Sequence, residues 1–397
     1  MNDEICLRAL GMCNALGNTL ADIARGLFSG DTSGLTLEDG WIPSARARVG
    51  RVRASLPSLP PDLSAGYSCR ATRLLVLAAT QIAHDVESAI RRFGNDRVAV
   101  VLGTSTSGIA EGESAIAAHC ADGAPLDDSV YPRQELGMPA AFLARYYGVR
   151  GPAYCVSTAC TSSAKALVSA RALLRQGFCD AVVVGGVDTL CRLTINGFAA
   201  LELTTEKLCN PMSGNREGIN IGEGAALFLM TREGAPDDLR FLGAGESSDA
   251  YHVSAPHPDG KGAEAAMRSA LEDAGLDASE VDYLNLHATA SAQNDKMESL
   301  AIRRVFPDGV TASGTKPLTG HLLGAAGATE LGLCWLALKD GRLPPHVWDG
   351  EAGPDLSARV HFVTPGQRFE RDAGRVCMSS SFAFGGNNVC LLIGETR

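Results

Sequence analysis

The stretch YCVSTACTSSAKALVSARALL, residues 154–174, places a short apolar run directly before a helical pattern. Beyond position 163 the apolar residues recur with helical spacing, which predicts an amphipathic and largely buried helix. Those residues are Ala166, Leu167, Ala170, Leu173 and Leu174. Hydroxyl side chains suit a first helical turn, and Thr161, Ser162 and Ser163 stand there. The stretch therefore predicts a strand followed at once by a helix, the unit of a layered α/β fold.

The same alternation continues along the chain. Apolar runs that suit buried strands cover residues 97–103, 180–188 and 281–287. Helical patterns cover residues 72–90, 163–177, 262–275 and 328–341. The last stretch, RVCMSSSFAFGGNNVCLLIGE at 375–395, predicts two strands joined across a Gly-Gly-Asn-Asn turn. The whole pattern is typical of an α/β protein.

Chain length predicts two domains or two closely packed halves. The 397 residues, 45% of them hydrophobic, exceed what one small core requires. A polar segment with Gly and Pro, TREGAPDDLR at 231–240, interrupts the alternation. We expect the boundary there, with an N-terminal half at 1–235 and a C-terminal half at 236–397. Each half alternates strands and helices, although no sequence repeat is visible.

Composition argues against several classes of protein. The net charge is −10 and no long basic block exists, so nucleic acid is not the expected partner. The twelve cysteines contain no C-x-x-C pair, and we predict no metal site. No apolar run is long enough to span a membrane, and the N-terminus lacks the pattern of a signal peptide. We therefore expect a cytoplasmic protein with reduced thiols.

An arginine-rich patch is the local exception to the acidic composition. It consists of Arg46, Arg48, Arg51, Arg53, Arg70 and Arg73. A solvated basic surface and a docking site for an acidic protein both explain such a patch. The residues alone leave the choice open.

Cys160 stands at or just inside the start of the predicted helix. There the unpaired backbone N–H groups and the helix dipole favour a thiolate, which predicts a lowered thiol pKa. The same amides can hold a developing oxyanion. The competing interpretation is an inert thiol in the core, and at this stage neither prevails. Cys155, five positions earlier, is predicted to be a strand residue.

A nucleophilic cysteine needs partners elsewhere in the chain. His287 ends a predicted strand and enters a loop of small residues, and His321 opens a Gly/Ala-rich helix five residues after Lys316. Each histidine taken alone fits a structural role equally well. The remaining histidines, interpreted as ordinary surface or structural residues, are His84, His119, His252, His257, His346 and His361.

Four motifs together resemble the signatures of elongating β-ketoacyl–acyl carrier protein synthases. They are STACTSSAKAL around Cys160, LHATASAQND around His287, TKPLTGHLLGAAGATE with Lys316 and His321, and FAFGGNN. Their order and spacing match over nearly the whole chain, which makes the resemblance specific. It implies a thiolase-like fold, in which two βαβαβαββ halves form a five-layered αβαβα sandwich.

The resemblance also implies a decarboxylative Claisen condensation without a cofactor, on substrates carried by the phosphopantetheine arm of acyl carrier protein. Cys160 would take the acyl chain as a thioester. His287 and His321 would stabilise the enolate that forms when malonyl loses carbon dioxide, and Lys316 would act electrostatically. The remaining matches are Phe384 (oxyanion hole and gate), Thr289 and Ser291 (pantetheine arm), and Asp295 and Glu330 (support of the loop and network).

Three positions depart from the family pattern. Ala288 replaces a glycine in the usual H-G-T-x-T phrase, Ser291 replaces a threonine, and Ala383 replaces a glycine in the gating phrase. A substitution of glycine is costly where φ must be positive. The catalytic set is complete, so we expect an active enzyme whose substrate preference differs from that of housekeeping fatty-acid enzymes. The chain length and phrases such as ESSDAYH are similar to ketosynthases of aryl polyene and related type II polyketide clusters.

The implied partners are an acyl carrier protein and a second subunit. A homodimer is the family norm, and a heterodimer with a chain-length-factor-like subunit is the alternative. Arg70 and Arg73 are the predicted carrier-protein contacts. Competing functions are a non-elongating thiolase-fold acyltransferase, a chain-length factor and a papain-like hydrolase. They fit less well, because Cys160 is present and the second partner position is His321.

Overall fold

The computed structural model describes residues 4–123, 125–126, 130–356 and 359–396. Residues 1–3 lie outside them, and so does the start of the N-terminal segment in which we predict no signal peptide. The strands are β1 (Cys6–Cys13), β2 (Leu35–Ile42), β3 (Ala45–Gly50), β4 (Val98–Gly103), β5 (Ala153–Val156), β6 (Ala181–Asp188), β7 (Ile221–Gly222), β8 (Gly224–Thr231), β9 (Leu239–Ser248), β10 (Tyr283–Leu286), β11 (Val310–Gly314), β12 (Val360–Phe362), β13 (Val376–Phe382) and β14 (Asn387–Gly394).

Helices alternate with these strands. They are α1 (Leu20–Ser29), α2 (Pro61–Tyr67), α3 (Arg70–Ala79), α4 (Ala83–Phe93), α5 (Ile109–Asp122), α6 (Val130–Gln134), α7 (Met138–Tyr147), α8 (Ser162–Arg175), α9 (Arg192–Ala200), α10 (Lys261–Ala274), α11 (Ala292–Val305), α12 (Lys316–Thr319) and α13 (Ala326–Asp340). Among the described residues, no helix is long and apolar enough to cross a membrane.

Two sets of strands repeat one pairing scheme. The first set lies in the order β1, β8, β6, β4, β5, and the second in the order β9, β14, β13, β10, β11. In each set the first two pairings are antiparallel and the next two are parallel. A short pairing of β1 with β9 joins the sets into one eleven-stranded sheet, with β12 at its far edge. The duplication that the sequence does not reveal is therefore visible in the topology.

The helices form three layers around these strands. α8 and α13 pack between the two sets, and twelve residues of α13 are buried, because a helix in the middle layer meets protein on all sides. α3 and α7 cover the outer face of the first set, and α10 and α11 cover the outer face of the second. The result is the five-layered αβαβα arrangement of a thiolase-like fold.

The predicted strands agree with β4, β6 and β10, and the predicted terminal hairpin is the antiparallel pair β13–β14. β4 and β6 are buried at every residue, which is why they appear as continuous apolar runs. The prediction of one helix over 72–90 was wrong. A 3₁₀ turn at Thr80–Ile82 separates α3 from α4, and the Gln81 carboxamide there exchanges hydrogen bonds with both backbone groups of Met12 on β1.

The connection from β8 to β9, residues 232–238, lies inside the segment where we expect the boundary. The division into domains at 1–235 and 236–397 stays a prediction. A separate three-stranded sheet of β2, β3 and β7 lies beside the first set.

Candidate active site

Cys160 lies in the turn between β5 and α8. Ala159 before it has a φ of 51°, a left-handed conformation that residues with a Cβ adopt at a cost. The Ser162 hydroxyl stabilises this turn, since it donates to the Ala159 carbonyl at 2.6 Å and accepts from the Thr158 N–H at 2.9 Å. The turn leaves the Cys160 thiol buried, with 5% of the residue exposed. Cys155 lies in β5, as predicted.

His321 is the direct partner of the thiol. Its Nε2 lies 2.9 Å from Sγ of Cys160, across 161 positions of sequence. Two backbone hydrogen bonds position the histidine, one from its N–H to the Asn220 carbonyl and one from the Gly222 N–H to its own carbonyl. Its Nδ1 has no hydrogen-bond partner among the described residues. An imidazole in this geometry can exchange a proton with the thiol.

His287 extends the cluster on the side away from the thiol. It follows β10, and its ring centroid lies 5.4 Å from that of His321, with the planes nearly perpendicular. The Glu298 carboxylate accepts the backbone N–H groups of His287 and Ala288 at 2.7 and 2.8 Å. Glu298 is therefore a supporting residue that the sequence analysis missed. The available signal was its place on α11, three residues after Asp295 and on the same buried face.

Lys316 is a buried cation behind the two histidines. Its Nζ donates to the His287 carbonyl and to the Glu330 carboxylate, and lies 3.4 Å from Nδ1 of His287. Glu330 is 3% exposed, so the ion pair is buried on both sides. Because Nδ1 of His287 faces the ammonium, the ring proton belongs on Nε2, the nitrogen directed away from Lys316.

Burial controls the protonation states of these groups. It raises the pKa of the Cys160 thiol to about 12, against the opposing effects of Lys316 and the backbone N–H of Phe384. Burial and Lys316 hold the pKa of both His287 and His321 well below the usual value. The predicted lowering of the thiol pKa was therefore wrong, because desolvation of a thiolate outweighs the stabilisation by Lys316 and the Phe384 N–H. The resting site is a neutral thiol beside two neutral imidazoles.

This protonation state predicts the pH dependence of alkylation. Because iodoacetamide reacts with the thiolate, we expect the alkylation rate of Cys160 to rise about tenfold per pH unit from pH 6 to pH 9 without a plateau. Intact-mass time courses measure it, with exposed Cys120 as an internal reference. A plateau below pH 8 would contradict the neutral thiol and indicate a thiolate–imidazolium pair.

The loop after His287 has a strained backbone. Ala288 has a φ of 37° and Ala290 a φ of 66°, so the position where the family usually has glycine does require a positive φ. Asp295 stabilises the loop by accepting the N–H groups of Ala290 at 3.1 Å and Met212 at 2.7 Å. Burial raises the pKa of Asp295 to about 6 and that of Glu298 to about 8.

Gly314 on β11 faces this strained loop. A Cβ at Gly314 would lie 2.7 Å from Cβ of Ala288, well inside contact distance. We expect Gly314→Ala to lower the free energy of unfolding by ~1–3 kcal/mol through overpacking. Ala288→Gly in the same chain should restore most of the loss, because it removes the opposing methyl group. Denaturant unfolding of the four proteins of this cycle measures the coupling, and purely additive effects would contradict the contact.

A cavity of about 420 Å³ leads to the cluster. Cys160, His287 and His321 line it, together with Thr289 and Ser291, whose hydroxyl oxygens are 3.1 Å apart. The Phe384 ring also lines it and packs on Phe198, with ring centroids 5.2 Å apart. The predicted site residues are thus brought together around one cavity, with Asp295 and Glu330 behind its wall. Their roles stay predictions.

The arginine patch is largely occupied by internal contacts. Arg70 pairs with the buried Glu223 and also donates to the Val52 carbonyl at 3.1 Å. Its role in docking stays a prediction, and a carrier protein would have to compete with Glu223 for the guanidinium group. Arg73 is exposed, and no ion pair to it occurs among the residues that the structure describes. Within the same residues, no group of three or more His, Cys, Asp or Glu side chains is placed to hold a metal ion.

Two family models match the chain. Beta-ketoacyl synthase, N-terminal domain, matches residues 64–235, and Beta-ketoacyl synthase, C-terminal domain, matches residues 240–348. The chain is 30% identical to 3-oxoacyl-[acyl-carrier-protein] synthase 2 of Coxiella burnetii, over 98% of both proteins. It is 38% identical to Nodulation protein E of Rhizobium meliloti over 254 residues, and that match covers 62% of each protein.

A solved structure resembles the whole chain. One chain of the complex of the ketosynthase ApeO with its chain length factor ApeC, from Xenorhabdus doucetiae, is 45% identical. The match covers 99% of this chain and 98% of that one, with a TM-score of 0.93. The shared architecture therefore includes every element that positions the cluster around Cys160.

Proposed function

Because the chain belongs to the β-ketoacyl synthase family, we propose that it joins an acyl group held on Cys160 to malonyl-acyl carrier protein, giving a β-ketoacyl-acyl carrier protein two carbons longer. One observation carries the proposal. The thiol lies 2.9 Å from His321, and Cys160, His287 and His321 open onto a cavity that a pantetheine arm can enter, with Lys316 buried behind His287. Neither a hydrolase nor a chain-length factor uses this whole set.

The first step is acyl transfer. The Cys160 Sγ–H gives its proton to Nε2 of His321, and the sulfur attacks the carbonyl carbon of the acyl-pantetheine thioester. The backbone N–H of Phe384, directed at this sulfur, helps to hold the oxyanion together with the N–H of Cys160. The pantetheine thiolate leaves and takes the proton back from His321. Thr289 and Ser291 bind the arm with their paired hydroxyl groups.

The second step is decarboxylation and condensation. The malonyl carboxylate leaves as carbon dioxide, and the electron pair of the broken bond forms an enolate on the thioester. Nε2–H of His287 stabilises that oxygen, and His321 becomes the second donor once its ring proton has passed from Nδ1, where the first step leaves it, to Nε2. Burial and Lys316 keep both imidazoles neutral. The enolate carbon then attacks the Cys160 thioester, and the sulfur leaves as a thiolate that is reprotonated. Both substrates arrive on phosphopantetheine arms, so the chemistry uses no further cofactor.

The proposals for the second subunit and the pathway rest on the similarity to the ApeO–ApeC complex. We propose that the chain is the catalytic half of a heterodimer with a chain-length-factor-like subunit, in aryl polyene or related type II polyketide biosynthesis. The 45% identity to a chain of the ApeO–ApeC complex supports this choice over a fatty-acid homodimer. Co-expression with the candidate subunit and measurement of the assembly mass separate the two. A stable, active homodimer alone would favour the fatty-acid alternative.

Two further proposals concern organisation and location. We retain the division into an N-terminal half, 1–235, with the nucleophile and a C-terminal half, 236–397, with the histidines and lysine. We also propose that the enzyme works in the cytoplasm, where its twelve cysteines, all within described residues and none in a disulfide, stay reduced.

Of the two arginines predicted to contact the carrier protein, Arg73 is exposed and has no ion pair among the described residues. We expect Arg73→Glu to raise the apparent KM for acyl-carrier protein roughly 3–10-fold, with kcat unchanged, because a rim charge affects encounter more than chemistry. Steady-state kinetics at two salt concentrations measure the KM. Arg91→Glu is the matched control, because Arg91 is an exposed arginine on α4. Arg70→Glu should instead lower stability by leaving Glu223 unpaired. An Arg73→Glu enzyme with the wild-type KM would remove this docking contact.

The function itself is tested with loaded carrier proteins. Intact mass reports acylation of the enzyme by saturated, polyene and aryl acyl-carrier proteins, and carbon dioxide release reports the malonyl-dependent step. Acylation followed by a product two carbons longer is the expected result. Acyl transfer without carbon dioxide release in the presence of malonyl-carrier protein would indicate the non-elongating acyltransferase instead.

A further inference from the structure

Asp188 is a buried carboxylate that the condensation mechanism does not use. It ends β6, is fully buried, and within the described part of the chain no salt bridge joins it to a lysine or arginine. Both of its oxygens accept hydrogen bonds instead. The donors are the backbone N–H groups of Ser105, Thr106 and Gly324 and the hydroxyls of Thr104 and Thr106.

The two hydroxyls have a fixed direction. Thr104 Oγ1 accepts the N–H of Ser107 at 3.0 Å, and Thr106 Oγ1 accepts the N–H of Thr189 at 3.0 Å. Each hydroxyl proton is therefore left for Asp188, at 2.8 Å in both cases. Burial raises the pKa of Asp188, and these donors oppose that rise. A carboxylate surrounded only by donors stays ionised, because a proton on either oxygen would displace one of them. The arrangement places one uncompensated negative charge at this point of the core.

Asp188 links the turn of the nucleophile to the turn of its partner. On one side it holds the N–H of Ser105, whose hydroxyl donates to the Ala159 carbonyl at 3.3 Å, directly before Cys160. On the other side it holds the N–H of Gly324, three residues after His321. Gly324 is packed so closely that a Cβ there would lie 2.8 Å from both Asp188 Oδ2 and Ser105 N. No residue larger than glycine fits between the two turns.

We propose that Asp188 is a positioning residue that holds the Cys160 turn and the His321 turn at their working separation and sets a negative charge beside the nucleophile. The contact between Sγ and Nε2 joins two segments 161 positions apart. Asp188 accepts the N–H of Gly324, near His321, and the N–H of Ser105, whose hydroxyl donates to the carbonyl before Cys160. The charge has its own consequence, since Asp188 raises the pKa of the Cys160 thiol. The other charged groups acting on that thiol are Lys316, which lowers its pKa, and Glu330, which raises it.

The two effects predict opposite changes when the charge is removed. Asp188→Asn keeps the shape but turns an NH₂ group toward N–H donors, so the two turns lose their alignment. We expect kcat for condensation to fall ~10–100-fold with little change in the KM for carrier protein, as expected for a misplaced reacting pair. Alkylation of Cys160 by iodoacetamide at pH 7.5 should rise several-fold, because removal of the negative charge lowers the thiol pKa. A general loosening of the fold would also raise alkylation of other buried thiols, such as Cys334 and Cys377.

Two more variants keep the test decisive. Asp282→Asn is the matched control, because Asp282 also accepts a backbone N–H, from Val376, and pairs with Arg371, and neither of these partners belongs to the Cys160 turn or the His321 turn. It should leave both readouts at wild-type values. Ser105→Ala removes the hydrogen bond from the Ser105 hydroxyl to the Ala159 carbonyl, leaves the one from Ser162, and keeps the charge of Asp188. It should lower kcat several-fold with alkylation unchanged, and it serves if Asp188→Asn does not fold.

The proposal rests on the proposed function for its kinetic arm only. If the wild-type enzyme accepts no acyl group, the condensing function fails, while the alkylation comparison still tests the charge. If the wild type condenses normally and Asp188→Asn does so at the same rate, the positioning role is overturned. Unchanged alkylation of a folded Asp188→Asn enzyme would overturn the electrostatic part.

Discussion

Cys160→Ala is expected to abolish the acyl-enzyme and to lower condensation by at least ~10³-fold, because the covalent intermediate has no other nucleophile within reach. Sγ of Cys160 is the atom that Nε2 of His321 faces at 2.9 Å, and the other cavity-lining side chains contain no thiol. Intact mass after incubation with acyl-carrier protein should show an adduct on the wild type alone. The fold should be retained, since alanine leaves only a small gap at the end of the cavity.

Cys155→Ala is the control for this result. It removes a thiol five positions earlier, in β5, with no contact to either histidine in the structure, and should keep full acylation. An adduct that persists in Cys160→Ala would contradict the assignment of the nucleophile. An adduct lost in both variants would instead indicate damage to the β5–α8 unit.

His287→Ala is expected to separate the two half-reactions. Carbon dioxide release from malonyl-carrier protein should fall ~10²–10³-fold, because one of two donors to the enolate oxygen is removed. Acyl transfer to Cys160 should continue within several-fold of the wild-type rate, since the pair of Cys160 and His321 stays intact. Single-turnover acylation and carbon dioxide assays on one preparation measure both. The substitution also removes Nδ1 of His287, which accepts a hydrogen bond from Lys316, so we expect a modest loss of stability.

His84→Ala controls for the loss of an imidazole, because His84 is exposed on α4, away from the cavity. Both half-reactions should stay at wild-type rates in this variant. If His287→Ala loses acylation as strongly as decarboxylation, the division of labour between the two histidines is wrong. The site would then act as one coupled unit.

Local patterns predicted much of the fold, and for a physical reason. β4 and β6 are covered by helices on both faces, so all their residues except Asp188 at the end of β6 are apolar or glycine, and both strands can be recognised from the sequence alone. The helix after Cys160 could be predicted because its buried residues recur with the helical period. The break between α3 and α4 could not be predicted, because it depends on the contact of Gln81 with β1, some seventy positions away.

The candidate site divides in the same way. Motif spacing identified Cys160, His287, Lys316 and His321, since each motif is a contiguous segment whose residues differ from ordinary core or surface. Glu298 and Asp188 were missed, because they serve backbone N–H groups of distant segments and look like any acidic residue in the chain. The ion pair of Arg70 was missed for the same reason, because its partner, Glu223, is 153 positions away and buried.

The amino-acid sequence by itself indicated the alternation of strands and helices and the cysteine that precedes a helix. It also indicated the two histidines and the lysine that accompany that cysteine. Only the tertiary structure decided the chemical state of those groups. Desolvation depends on what surrounds a side chain in space, and at Cys160 it outweighs the stabilisation of a thiolate by Lys316 and the Phe384 N–H. Hydrogen bonds accepted by Asp188 and Glu298 and donated by Lys316 then fix where the reacting atoms lie, and each of them joins residues that only folding brings together.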